Sequence, residues 1–169
     1  MPRKWRMWLG LFAIVLAGGG HALDWLSGAD APVSSGAVSG RFGVVDGDSL
    51  TQGRTRIRLV GIDAPEGPQT CMRDGKPWKC GRAATQRLRA LVSSDDVSCE
   101  VEDRDQHGRL LSVCRSRGRD VNAEMVRTGY AVAFGRRYQS LEREARTARR
   151  GLWSGTFERP QQWRRKNMN

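Results

Sequence analysis

Residues 55–62 (Thr-Arg-Ile-Arg-Leu-Val-Gly-Ile) alternate polar and apolar side chains. A period of two belongs to a half-buried strand, and here it puts Ile57 and Leu59 on the core face with Arg56 and Arg58 opposite. Shorter strand-like runs precede it at 40–45 and 49–52, separated by the turn signals Asp46-Gly47-Asp48 and Gly53-Arg54. Two later runs, 97–102 and 110–115, flank the turn Asp105-Gln106-His107-Gly108. Pairing them about the Gln106–His107 midpoint sets Cys99 opposite Cys114.

Elsewhere the apolar period lengthens to that of helices. Residues 81–92 place Ala84, Leu88, Leu91 and Val92 on one face. Asp120 is an N-cap residue for a helix over 121–128, closed by Gly129. Ser140 is expected to cap a third helix with the stripe Leu141, Ala145, Ala148 and Leu152. Short strands interleaved with a helix, and two more helices at the end, predict an α+β fold: a five-stranded OB-type β-barrel with three α-helices.

The N-terminus has a different character. Arg3, Lys4 and Arg6 precede the apolar run 7–19, and small residues follow. That order is a secretory signal, so residues 1–22 are expected to be a signal peptide or an N-terminal membrane anchor. A helix of the thirteen apolar residues reaches only ~20 Å, short of the ~30 Å bilayer core, which favours the signal. The Gly/Ser/Ala-rich stretch 23–39 reads as a linker, and 40–165 as the domain. The protein is therefore expected to be exported, either periplasmic or secreted, with membrane attachment if the first segment stays. Export also makes disulfides the default for the four cysteines, and CxxC spacing is absent. The strand register favours Cys99–Cys114 and leaves Cys71–Cys80 to tie down a loop carrying the turn Asp74-Gly75-Lys76-Pro77.

The formal charge of +11 falls to +8 when Arg3, Lys4 and Arg6 leave with the first 22 residues. A surplus carried mainly by arginine suits a polyanionic partner, since neutralising phosphates releases counterions. Two acidic clusters sit within this basic chain, Asp46-Gly47-Asp48 and Asp63-Ala64-Pro65-Glu66, each after a strand-like run. Either cluster alone is a turn or a self-capped loop. Brought together, they would supply the several oxygens that a hard cation needs. Ala64, held extended by the following proline, could add its backbone carbonyl. Arg58 and Arg109 would then face phosphate with planar, two-pronged donors. That set suits phosphoryl transfer, in which charge builds on phosphate oxygens while a carboxylate positions water. His21 and His107 are the only histidines, too few for a histidine-based mechanism once the first segment is set aside.

Three blocks resemble, in order, the signature of the staphylococcal-nuclease-like (thermonuclease) family. They are Val45-Asp46-Gly47-Asp48-Ser49-Leu50, Arg58-Leu59-Val60-Gly61-Ile62-Asp63-Ala64-Pro65-Glu66 and Asp105-Gln106-His107-Gly108-Arg109. Val121-Asn122, Leu152-Trp153 and the tail Pro160…Trp163-Arg164 also resemble bacterial members. The resemblance implies Ca²⁺-dependent hydrolysis of DNA and RNA that leaves 3′-phosphate ends. Asp48 and Asp63 match its calcium carboxylates, Ala64 its carbonyl ligand, and Asp46 an acid behind them. Glu66 matches the glutamate that orients or deprotonates water, and Arg58 and Arg109 match the arginines that clamp phosphate. Phe134 and Tyr138 lie where aromatic residues stack a base. Gln106 and His107 depart from the lysine and tyrosine usual there, and Ser49 stands for threonine. A monomer with no protein partner is expected. A non-catalytic nucleic-acid-binding OB module of the cell envelope is the alternative, and an envelope protein binding anionic lipid or glycan a more distant one.

Overall fold

The computed structural model describes residues 36–93 and 96–167. The expected export segment and the first part of the expected linker lie outside the described residues.

The chain opens with β1 (Ala37–Gly40), β2 (Gly43–Val44), β3 (Ser49–Gln52), β4 (Thr55–Leu59) and β5 (Ile62–Asp63). A small hairpin, β6 (Cys71–Arg73) and β7 (Lys76–Trp78), leads to α1 (Cys80–Val92). Then come β8 (Val97–Arg104), β9 (Leu110–Ser116), β10 (Arg119–Asp120) and α2 (Val121–Arg127). The described chain closes with β11 (Val132–Ala133), α3 (Gln139–Thr147), a 3₁₀ turn at Gly151–Ser154 and α4 (Pro160–Asn167).

The main sheet runs β1-β8-β9-β4-β3-β2 and curls into the partial barrel of an OB-type α+β fold, with β10 pairing beside β9. Its pairs are antiparallel except β4 with β9, which run parallel with Arg58 beside Leu111. Ile57 and Leu59 are buried on the inner face, as their alternation with the arginines requires. Leu50, Val97, Cys99 and Cys114 join them, and Ala84 and Leu88 of α1 with Met125 and Val126 of α2 pack into the same core. Each large aliphatic side chain so buried contributes about 1.5–3 kcal/mol before entropy is counted.

Both expected disulfides are present, Cys71–Cys80 and Cys99–Cys114. The β8–β9 register sets Cys99 opposite Cys114, but a bulge between Val101 and Asp103 shifts the pairing by one residue toward the tip. Past the bulge, Asp105 faces Arg109, so the hairpin centres on His107 rather than on the Gln106–His107 midpoint. Asp120 caps α2 by accepting from the Ala123 amide. Ser140, by contrast, lies inside α3, which starts at Gln139 without a side-chain cap, and Leu152 falls in the separate 3₁₀ turn. The fourth helix, α4, adds to the three expected. Residues 37–39, expected as linker, pair with β8 as part of β1, and Val38 packs against the core.

Two buried amides tie the elements that carry the acidic clusters. Asn122 donates to the carbonyls of Val60 and Ser112 and accepts from the Cys114 amide, fastening α2 to the β4–β9 seam. Gln69 accepts from the Glu66 amide and donates to the Glu158 carbonyl, joining the second acidic cluster to the segment before α4.

Candidate active site

Asp48 ends the turn between β2 and β3, and Asp63 lies on β5; both are almost fully buried, at 2% and 3% exposure. The Asp46 carboxylate accepts from the Asp48 amide at 3.0 Å, which shapes the turn. Asp48 Oδ1 accepts from Ser49 Oγ at 3.1 Å, and Oδ2 from the Ala64 amide at 2.9 Å. The second bond joins the two acidic clusters directly.

Arg58 reaches both carboxylates. Its Nη1 lies 2.8 Å from Asp48 Oδ1 and its Nη2 lies 3.1 Å from Asp63 Oδ1. Burial raises the Asp48 carboxyl to about 7; Arg58 opposes that rise, while Asp46 and Asp63 add to it. Glu66 follows on the loop held by Gln69. Its Oε1 accepts from Arg164 Nη1 at 2.8 Å. Arg109 stands at the hairpin tip, where its Nε donates to Asp105 Oδ2 at 2.7 Å and its amide to Oδ1 at 3.0 Å. The Asp105 carboxyl is held below its usual range: burial alone would raise it, but hydrogen bonds from the Arg109 and His107 amides and the Arg109 side chain outweigh that.

These groups share one open cleft of about 700 Å³. Asp46, Arg58, Glu66, Arg109 and Arg164 line it, with Arg56, Asp105 and His107. Asp48 and Asp63 lie behind Arg58 as its ion-pair partners. Loops distant in sequence therefore meet at one cleft.

Phe134 and Tyr138 part company. Phe134 is 61% exposed and borders an adjoining hollow of about 240 Å³ with Arg58, Leu111 and Gln161. Tyr138 is 5% exposed, and its hydroxyl donates to Asp120. Its ring edge lies against the site of Gly61, where an added Cβ would fall 3.1 Å away. The expectation that Tyr138 stacks a base is corrected: it is a core side chain, and only Phe134 presents a face.

Arg164 was assigned no role from sequence. Its Nη1 lies 2.9 Å from Asp63 Oδ1 and its Nη2 lies 3.2 Å from Asp63 Oδ2, so the fork grips this carboxylate while also touching Glu66. Burial disfavours its charge, but the hydrogen bonds it donates to Asp63 and Glu66 more than offset this and raise its pKa. The only sequence signal was the Trp163-Arg164 pair in the tail.

A hard cation suits this donor set. The donors are all oxygen, and burial with two neighbouring acids leaves Asp48 seeking positive charge. Among the described residues no group of three His, Cys, Asp or Glu side chains converges as a metal site by itself. Arginines take up the carboxylate oxygens instead, so a cation would have to be completed by backbone, water or substrate oxygens.

Fold and cleft together define a class, the small OB-type barrels in which buried carboxylates pair with arginines beside an open cleft. Residues 56–155 match the family described as staphylococcal nuclease homologue, and the chain belongs to it. It is 32% identical over 123 residues to the succinoglycan biosynthesis protein ExoI of Rhizobium meliloti (strain 1021), covering 69% of this chain and 64% of that protein. It is 36% identical over 135 residues to an uncharacterized endonuclease of Escherichia coli O157:H7, covering 73% of this chain and 82% of that protein. A probable staphylococcal-like nuclease of Oryza sativa subsp. japonica, CAN3, is 33% identical over 128 residues, with 72% of this chain but 32% of that protein covered.

Proposed function

We propose that this protein is a calcium-dependent nuclease that hydrolyses phosphodiester bonds of DNA and RNA and leaves 3′-phosphate ends. The observation that carries the proposal is the shared cleft, which Arg58, Glu66 and Arg109 line and in which Arg58 is ion-paired with Asp48 and Asp63. Relatives named as endonucleases support the same reading.

Asp48, Asp63 and the Ala64 carbonyl would hold Ca²⁺, with Asp46 behind them, and the ion would offset negative charge on the scissile phosphate. Arg58 and Arg109 donate to the non-bridging oxygens, where charge grows as water attacks. Glu66 accepts the proton of that water on a carboxylate oxygen. The new P–O bond forms as the P–O5′ bond breaks, and O5′ leaves with a proton from solvent. Phe134 offers a face to a base beside the cleft. A purely binding module would use the arginines of the cleft but has no use for Asp48, Asp63 and Glu66, which metal-dependent hydrolysis does use. Export to an oxidising compartment is part of the proposal; the two disulfides and the pattern of residues 1–22 support it.

The test is digestion of plasmid and RNA by the purified protein, first with calcium and then with a chelator. Cleavage should need the ion, and Glu66→Gln should lower turnover by about 10²–10⁴-fold. Equal digestion in chelator, or a variant as fast as the parent, would refute the assignment.

A further inference from the structure

Arg164 is carried into the cleft by α4, and its grip is unusually complete. Two of its nitrogens take both oxygens of Asp63, and one of them is shared with Glu66. Arg58 holds Asp63 Oδ1 as well, so three of the roughly four lone-pair positions of this carboxylate are engaged by guanidinium groups. A divalent cation needs those same oxygens. It cannot take them while the fork stays, because the donors block the lone pairs and two positive centres at that spacing repel.

The tether is built to let go. In α4 only Pro160 is buried. The segment before the helix is fixed by Gln69 through the Glu158 carbonyl, and the Lys166–Glu158 ion pair lies within the tail itself. Beyond Pro160, the ion pairs of Arg164 with Asp63 and Glu66 are a clasp between this helix and the barrel that a cation would contest. Its side chain is 30% exposed, which leaves a path to solvent.

We propose that Arg164 sets the cation affinity of this site by occupying the metal-facing oxygens of Asp63, so that cation binding and docking of α4 oppose each other. The inference rests on the metal-dependent reading above and adds a residue that weakens metal binding. Because such coupling is reciprocal, the factor by which Arg164 lowers cation affinity is the factor by which the cation loosens Arg164.

Calcium titration by calorimetry on the full chain, parent against Arg164→Gln, reads this directly and needs no turnover. The variant should bind calcium roughly 5–150-fold more tightly. Arg164→Lys, which keeps charge but loses the fork, should fall between the two. Equal or weaker binding by Arg164→Gln, with the parent binding normally, overturns the inference and leaves the metal reading intact. If neither the parent nor Arg164→Gln binds calcium, both readings fall. If the substitution impairs folding, hydrogen exchange of the parent decides: amides of 161–167 should exchange faster with calcium than without. Unchanged or slower exchange there counts against the proposal.

Discussion

Asp48 combines burial with negative charge, and this has a consequence for stability. Its carboxyl lies near 3.8 when unfolded and is raised by burial to about 7 when folded. Between those values the native protein holds a proton that the unfolded chain has released, so the contribution of this group is full below about pH 4 and is lost as pH rises through 7. Metal-free protein should therefore melt at falling temperature from about pH 5 to pH 7, and Asp48→Asn should flatten that part of the curve. A thermal scan across this range in chelator checks it, and a parent curve that rises instead would contradict it. Asp105, lowered by its hydrogen bonds, acts in the opposite sense and only at more acid pH, so the two windows do not overlap. The acids and arginines that the motifs singled out do meet, because each sits on a turn or strand end whose chemistry is local. Arg164 was illegible for the opposite reason: it lies 101 positions from Asp63, and nothing near it in sequence marks that contact.

Among the elements, α1 matters for where its second residue lies. A Cβ on Gly81 would fall 1.7 Å from the Glu66 carbonyl oxygen, so the first turn of the helix rests directly on the backbone that presents Glu66. Gly81→Ala must push that backbone away. The expected result is a stability loss of about 1–3 kcal/mol, as for other overpacked sites, with a fall in turnover larger than that loss explains. Denaturant midpoints and rates measured on the same sample separate the two, and parent-like turnover would show that the carbonyl moves harmlessly. Helix boundaries were readable where a cap exists. Asp120 marks α2 because its side chain bonds the first turn, whereas α3 begins without a cap and Ser140 misled. The bulge near Glu102 left no trace in the pattern, since the polar run 102–105 has no alternation to break.

At the scale of the molecule, a basic chain surrounds an acidic pocket. The formal charge is +11, yet the carboxylates of the site are neutralised by arginine, so the cleft that a polyanion meets is framed by Arg56, Arg58, Arg109 and Arg164. Single-stranded DNA held by the inactive Glu66→Gln protein should weaken with salt, with a log–log slope of roughly −1.5 to −3 for about two to four phosphates neutralised. Fluorescence anisotropy over a salt series measures it, and a flat line would mean that the arginines do not contact the backbone. The fold class was legible at this scale because strand alternation, turn signals and cysteine register agreed. The added helix was not, because Pro160 is the one buried residue of α4, which therefore shows little apolar period.

The parallel seam between β4 and β9 also bears on how the protein comes into being. Ile57 must wait for Leu110 before that edge is closed, so a chain emerging from the ribosome carries an unpaired hydrogen-bonding edge for more than fifty residues of synthesis. During that interval Arg58 has no β9 beside it, and the hairpin that bears Arg109 does not yet exist. A half-made molecule thus lacks one side of the cleft and is prone to stick to its neighbours until β9 closes this edge.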